Sequence, residues 1–435
     1  MTTTYDPLDS RYGDETDVRT ELTRVFDLCH GCRLCFKFCD AFPTLFELID
    51  RHDDQDAARL SAADQDRVVE LCFNCKLCYV NCPYVPGQHE WAIDFPRLML
   101  RAKKVQHANR RASLRSIAAD QFLGRTDLLG KLATRAPGLV NETTGRPGSL
   151  SRKLMERTIG IASQRVLPPY AKQRFSTWFK QRARLRFAKR QGRVALFPTC
   201  LVEYQSPAIG RDLVKVYEHN GVECSLPDGQ VCCGAPWLHV GDLERFRKQA
   251  RTNIDVLARA VRDGNDVVVP QPTCSYVLKH DYPDYVPGPE ADLVAAHTYD
   301  PAEYLVNLHR GDGTNLDLQF SGHVPESVTY HAPCHLRAQN IGLRSRDLLQ
   351  LTGAKVRVVA ECSGIDGTWG YRAGNYESSR RVAGKMAAAI DQAGGETIAG
   401  DCVLANTSIV QETGRQPMHP IQLVARAYGI AEDDP

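Results

Sequence analysis

Half of the sixteen cysteines stand in two runs of identical spacing. CHGCRLCFKFC supplies Cys29, Cys32, Cys35 and Cys39, and CFNCKLCYVNCP supplies Cys72, Cys75, Cys78 and Cys82 ahead of Pro83; both read C-x2-C-x2-C-x3-C. Three thiolates at intervals of three can wrap one face of an iron–sulfur cube, while the fourth of such a pair crosses to the neighbouring cube. Cys29, Cys32, Cys35 and Cys82 are therefore expected to hold one [4Fe-4S] cluster, and Cys72, Cys75, Cys78 and Cys39 a second. Zinc also takes four thiolates, but its frameworks pair two C-x2-C knuckles across a spacer rather than running four in a row. Asp40 stands where the second run has Pro83, a departure that removes no ligand. Two clusters in so short a region have one evident use, the passage of single electrons along a line.

Those thiols must be positioned, and the stretch between the runs, AFPTLFELIDRHDDQDAARLSAADQDRVVEL, reads as helical, with Leu45, Ile49, Val68, Val69 and Leu71 set among acids and amides. It resembles an α-helical ferredoxin module rather than the compact β-rich one. From residue 193 the pattern turns to α/β and runs twice. RVALFP, VECSLP and DVVVP read as strands, with SPAIGRDLVKVYEHNG and LERFRKQARTNIDVLARAVRDG as the helices between them; SVTYHAP, KVRVVAE and ETIAGD, with SRDLLQLTG and NYESSRRVAGKMAAAIDQAGG, repeat the order. Cysteines keep step with the repeat. Cys200 answers Cys334, Cys232 answers Cys362, and Cys274 answers Cys402, at offsets of 134, 130 and 128 residues. Open α/β sheets gather ligand groups at the carboxyl ends of their strands, so these thiols, with Cys233, are expected to converge on one edge. Cys224, without a counterpart, reads as a buried core thiol.

At 435 residues the chain has room for roughly three domains. No apolar run approaches the roughly 20 residues that span a bilayer, and the polar, acidic amino terminus has no signal-peptide core. A cytoplasmic protein is expected, reaching a membrane only peripherally, from its inner face. Sixteen cysteines in a reducing compartment point to metal ligation rather than disulfides. Residues 101 to 195 hold 23 Lys or Arg against four acids, a net of +19, so a chain of net charge +2 hides a basic segment between acidic domains. There, Phe175, Trp178 and Phe179 make one aromatic face, with Arg182, Arg184 and Arg186 following. Such a helix can lie on anionic lipid, or its cations can answer the acidic remainder of the same chain. No nucleic-acid fold accompanies it, so no nucleic-acid partner is expected. The expected domains are 1–110, helical with two clusters; 111–190, a basic helical linker; 191–312, the first α/β module; and 313–435, the second.

Cys200, Cys232-Cys233-Gly234 and Cys274, with YHAPCHLRAQNIG, CSGIDGTWG and DCVLANTSI in the second copy, resemble the CCG-domain family of iron–sulfur subunits. Heterodisulfide reductase, glycolate oxidase and lactate-utilisation subunits share that domain, and the likeness is greatest to the C-type subunit of anaerobic glycerol-3-phosphate dehydrogenase. The resemblance covers residues 29 to 100 and 193 to 430. It implies an electron-transfer subunit that takes electrons from a flavoprotein dehydrogenase and delivers them towards the membrane quinone pool, with one or two further clusters in the CCG modules. A full motif has five thiols per module; here Val277 and Ala405 replace the closing thiol of each copy, and Ser363 replaces one more in the second. Cys200, Cys232, Cys233 and Cys274 suffice for one [4Fe-4S] cluster. Cys334, Cys362 and Cys402 would need a borrowed ligand, for which His331, His335, Asp366 and Asp401 are near in sequence; a single cluster shared between copies, or a zinc on three Cys and one His, are the alternatives. Trp369 and His419 read as packing residues. The rival function is a self-contained thiol or disulfide oxidoreductase, which the missing thiols disfavour. No dinucleotide fingerprint is present, since GIDGTWG does not match G-x-G-x-x-G.

Overall fold

The computed structural model describes residues 2–109, 114–183, 190–311 and 316–431, and the side chains of all of these but 114–116. Arg184 and Arg186 lie outside the described residues. The amino-terminal part is helical: Glu15–Cys32, Ala41–Asp50, Ala62–Leu71, Leu77–Val80 and Phe95–Ala108. Side-chain caps start three of these helices. The Asp14 carboxylate accepts from Asp17 N, Ser61 and Asp64 form a reciprocal capping box, and Asp94 accepts from Arg97 N ahead of Pro96. The apolar stripes meet in one core, where Val18, Leu22, Phe26, Leu45, Ile49, Val68, Val69 and Leu98 are buried and the rings of Phe42 and Phe95 lie 4.7 Å apart.

Two parallel sheets follow. β1 (Gly192–Leu196), β2 (Val222–Ser225), β3 (Asp266–Val268) and β4 (Thr298–Tyr299) run in the order 2-1-3-4, and β5 (Ser327–His331), β6 (Lys355–Val359) and β7 (Thr397–Gly400) in the order 6-5-7. All three strands expected in each copy form, with β1 and β5 central. The two-residue β4 is the addition: it extends only the first sheet, and TY at 298 and 299 is too short for alternation to show. Crossover helices Pro207–His219 and Leu243–Arg262 in the first module, and Arg344–Leu351 and Tyr376–Ala393 in the second, bury their apolar faces on the sheets. Cys224 is buried in the core between the modules, and Nδ1 of His419 accepts from Ile421 N to cap the last helix.

The middle segment is docked rather than strung between domains. Its helices Leu114–Gly124, Thr126–Ala133, Pro137–Thr144 and Leu150–Ile159 lie over the thiol-bearing edge of both modules. Gly124 meets the Trp237 ring and Gly130 the Tyr204 ring so closely that any Cβ would overlap them. Ala162 N bonds to Tyr371 O and Ala373 N to Gly160 O, joining the segment to the second module by backbone. Buried cations tie the joint: Arg152 Nη2 donates to Ala162 O and Arg165 O at 2.7 and 2.8 Å, and Arg165 Nη2 to Ser379 Oγ at 2.7 Å. The aromatic face of Phe175, Trp178 and Phe179 is spent on protein, not held free for lipid. Phe175 is buried beside Gly210 in the helix Pro207–His219, and Trp178 and Phe179 pack on the same core.

Candidate iron–sulfur site

In the helical domain the thiols fall into two neighbouring groups. Burial raises the Cys29 thiol well above its ordinary value, and its sulfur neighbours are Cys35, Cys82 and Cys32. Burial likewise raises Cys78, among Cys75, Cys35, Cys72 and Cys39, and Cys39, beside Cys75 and Cys72. The two runs share one turn: Arg33 and Lys76, each just after its second cysteine, take φ of 53° and 64°. Cys32 is exposed, whereas Cys72, Cys75 and Cys78 are buried, so the first group faces solvent and the second faces the rest of the chain.

Each module carries its thiols at the carboxyl ends of its strands, where neighbouring crossovers diverge and leave a crevice. In the first, Cys200 follows β1, Cys232 and Cys233 follow β2, and Cys274 follows β3. Cys232 lies between Cys200 and Cys233, whose hydrogen bonds pull its thiol well below the ordinary value against burial; Cys233 and Cys274 sulfurs are 3.2 Å apart. Asp127 reaches in from the middle segment to accept from Cys232 N at 2.7 Å, and burial pushes its carboxyl up to about 6. Gly234 ends this turn at φ 92°, where a Cβ would strike Phe246, and Gly364 ends its twin at φ 65°, where a Cβ would strike the Ser379 carbonyl. Ser363 therefore occupies the place of Cys233. It is buried, and its carbonyl accepts from Ser408 Oγ at 2.8 Å.

In the second module Cys362 lies between Cys334 and Cys75 of the helical domain; its hydrogen bond to Cys75 is the main force lowering that thiol. Cys402, near Cys334 and pushed up to about 12 by burial, accepts from Gln271 Nε2 at 3.0 Å and from Ala405 N at 3.5 Å. Of the possible borrowed ligands, Asp401 is engaged elsewhere, accepting from Tyr330 Oη and Ser345 Oγ, while His331 places Nε2 3.0 Å from Glu361 O and leaves Nδ1 buried without a hydrogen bond. His335 Nδ1 is 3.7 Å from Cys334 Sγ and 3.6 Å from Asp366 Oδ1, while its Nε2 is 3.3 Å from Lys76 Nζ. Burial works against the Asp366 carboxylate, but His239, His335 and Lys76 hold it at about 2. Among the described residues no three His, Cys, Asp or Glu side chains close on a point that would hold a single metal ion. Val277, at one vacated thiol position, is buried in the first module's core. Trp369 packs its ring on Phe73 at 4.7 Å and donates Nε1 to Glu70 O, fastening the second module to the helical domain.

Grouped cysteine donors, low polarity, and backbone N–H groups on sulfur at Cys82 (Tyr84 N, 3.4 Å) and Cys362 (Gly364 N, 3.4 Å) are the environment an iron–sulfur cluster takes. Sequence patterns gave no sign of Gln271, His239 or Asp127. Lys76 alone had a signal, its place inside a ligand run.

Fold and thiol geometry define a cysteine-rich iron–sulfur protein. The cysteine-rich domain (CCG) family matches residues 194–279 and 328–405, and the citrate utilization protein B Fer4-like domain matches 22–109. The chain belongs to the CCG family. It is 29% identical over 333 residues to the C-type subunit of anaerobic glycerol-3-phosphate dehydrogenase from Escherichia coli K12, spanning 76% of this chain and 81% of that one. Lactate utilization protein A of an Exiguobacterium species is 30% identical over 252 residues, 55% of this chain and 97% of its own. The B-type subunit of fumarate reductase (CoM/CoB) from Methanothermobacter marburgensis is 28% identical over 237 residues, 53% of this chain and 44% of its own.

Proposed function

We propose that the chain is an electron-transfer subunit that accepts electrons from a flavoprotein dehydrogenase and passes them towards the quinone pool. The observation that carries this is the continuity of the thiol groups. Cys35 neighbours Cys75, Cys75 touches Cys362, and Cys402 is joined through Gln271 to the loop that bears Cys274. Cys29, Cys32, Cys35 and Cys82 would hold one [4Fe-4S] cluster, Cys72, Cys75, Cys78 and Cys39 a second, and Cys200, Cys232, Cys233 and Cys274 a third; Cys334, Cys362 and Cys402 would hold another, with His335 the nearest further donor. Such clusters supply one-electron oxidation and reduction; the protein contributes burial and hydrogen bonds to sulfur that order their potentials. Exposed Cys32, with Leu34 and Phe36 exposed just after it in the same run, is the entry face for the donor. At the far end, Leu128, Leu132, Leu139, Leu150 and Leu154 are exposed on the basic segment, a surface suited to anionic lipid. No helix among the described residues is long and apolar enough to cross a membrane.

Iron and acid-labile sulfide per chain, with EPR of the reduced protein, test the cluster assignment. About twelve irons mean one centre in the modules and about sixteen mean two, whereas about eight would remove the modules from the path. Flotation with anionic liposomes tests the surface: binding lost at high salt is expected, and no binding at any salt refutes it.

A further inference from the structure

A cavity of about 450 Å3 lies between the middle segment and the thiol-bearing edges of both modules. Its inner end is formed by Cys200, Cys232, Cys233 and Cys274. Its outer walls come from the four helices of the middle segment and the Pro-rich turn after them, through residues such as Phe122, Leu129, Ala133, Val140, Met155 and Leu167. A cluster on the four thiols would fill only the inner end. The remainder is of the size and character of a small-molecule site, which is typically about 300–1,000 Å3 and mostly apolar.

Charge separates this cavity from its surroundings. The segment that roofs it is strongly basic, yet no Lys, Arg, His, Asp or Glu lines it among the described residues. An anionic or cationic ligand would lose its hydration there without a counter-charge. The polar lining is sparse and uncharged. One member stands out: Thr126 Oγ1 is buried beside the Cys232 thiol, which it helps to keep ionised, and has no oxygen or nitrogen partner. At the opposite end Leu132, half exposed, marks a rim continuous with the exposed Leu128 and Leu139.

We propose that this cavity binds the ring of a lipid-soluble quinone, with one carbonyl oxygen accepting from Thr126 Oγ1 beside the four-cysteine group and the ring held between the apolar helices. The ligand class follows from three requirements met together: a redox-active ring at the thiol end, no charge, and entry from an apolar rim. The proposal rests on the electron-transfer reading above and gives that reading its exit site. The centres that the thiols would hold would supply two electrons singly, originating in the reduced flavin of the donor dehydrogenase; with two protons from water these would convert both carbonyls of the quinone to hydroxyls. A disulfide carrying negative charge would find no cationic partner in this lining.

The test uses the full chain, purified anaerobically, with 1,4-naphthoquinone and a short-chain benzoquinone as probes. Equilibrium binding to the oxidised protein is measured first, then reduction of each probe by protein pre-reduced with dithionite and desalted, with ferricyanide as a small acceptor that needs no cavity. Ala133→Phe fills the cavity and Thr126→Val removes the hydroxyl with little change in shape. Expected are saturable binding to wild type, at least tenfold weaker binding in Ala133→Phe, several-fold weaker binding in Thr126→Val, and unchanged iron content and ferricyanide reduction in both. Absence of saturable binding, or binding untouched by both variants at full iron content, overturns the proposal. Should wild type bind the probes through these residues but, once reduced, pass electrons to neither quinone nor ferricyanide, the site stands and the electron-transfer reading falls.

Discussion

Gln271, at the end of the first sheet, donates from Nε2 to the sulfur of Cys402 in the second module at 3.0 Å, while its Oε1 accepts from Val403 N at 3.1 Å. One buried side chain thus holds the thiol loop of one copy against that of the other. On the proposed electron path, this is the point of transfer between them.

A hydrogen bond to a ligating sulfur stabilises the reduced, more negative state of a cluster and raises its potential. Gln271→Leu is therefore expected to lower the midpoint potential of the second-module centre in an EPR-monitored redox titration, leaving the helical-domain centres in place. The variant also leaves Val403 N unpaired, at a cost of about 1–3 kcal/mol seen as a lower Tm. An unmoved potential at full cluster content would rule out this role.

Asp40, the departure from proline in the first run, has a task. It accepts from Ser378 Oγ at 2.6 Å and from Arg381 Nη2 at 2.7 Å, both on the long helix of the second module. Asp40→Ala should weaken the seating of the helical domain by about 1 kcal/mol, with faster amide exchange at residues 376 to 382 and normal iron content. Loss of iron instead would make Asp40 part of the cluster environment rather than a docking residue.

Serine at the fourth position of each run tests the crossing pattern. Cys39→Ser is expected to damage the centre of Cys72, Cys75 and Cys78, and Cys82→Ser that of Cys29, Cys32 and Cys35, each removing up to about four irons. Distinct EPR signals should vanish in the two variants. The same signal lost in both would mean that the fourth thiols do not cross.

Stripping the metal leaves mostly buried thiols without ligand bonds, and burial holds several of them protonated. Chelator-treated protein should therefore unfold at a lower temperature, and the helical domain should lose its amide protection first, because eight of its cysteines are the proposed ligands. Equal Tm before and after removal would show that clusters add nothing to the fold.

Gly130 lies on the Tyr204 ring with no room for a side chain. Gly130→Leu should lift the roofing helix at a cost of about 1–3 kcal/mol, read as lower Tm and increased protease cleavage within residues 126 to 144. Arg152→Met should act in the same direction by about 3 kcal/mol, since it strands the carbonyls of Thr144, Ala162 and Arg165. Native-like protease resistance in both would argue against a docked segment.

Much of the chemistry was local and so could be read along the chain. Spacing within one turn decides how thiols present themselves, so the two C-x2-C-x2-C-x3-C runs named their own ligands, and period-two apolar stretches flanked by turns gave six of the seven strands. The repeat located the remaining thiols at strand ends. What only the tertiary structure decided is which distant groups meet. Cys75 against Cys362, Gln271 against Cys402 and Lys76 against His335 join residues over a hundred positions apart, and no pattern within either segment encodes such a contact. The basic middle shows the difference most plainly. Composition showed its charge, but charge does not say what a segment packs against; close approach of Gly124 and Gly130 to aromatic rings, and the burial of Arg152 and Arg165, make it a roof over the thiols instead of a linker. Sequence determined that this is an iron–sulfur protein, because ligand chemistry is short-range; how its thiol groups adjoin, and the cavity beside Cys200, Cys232, Cys233 and Cys274, come from packing, which only the folded chain completes.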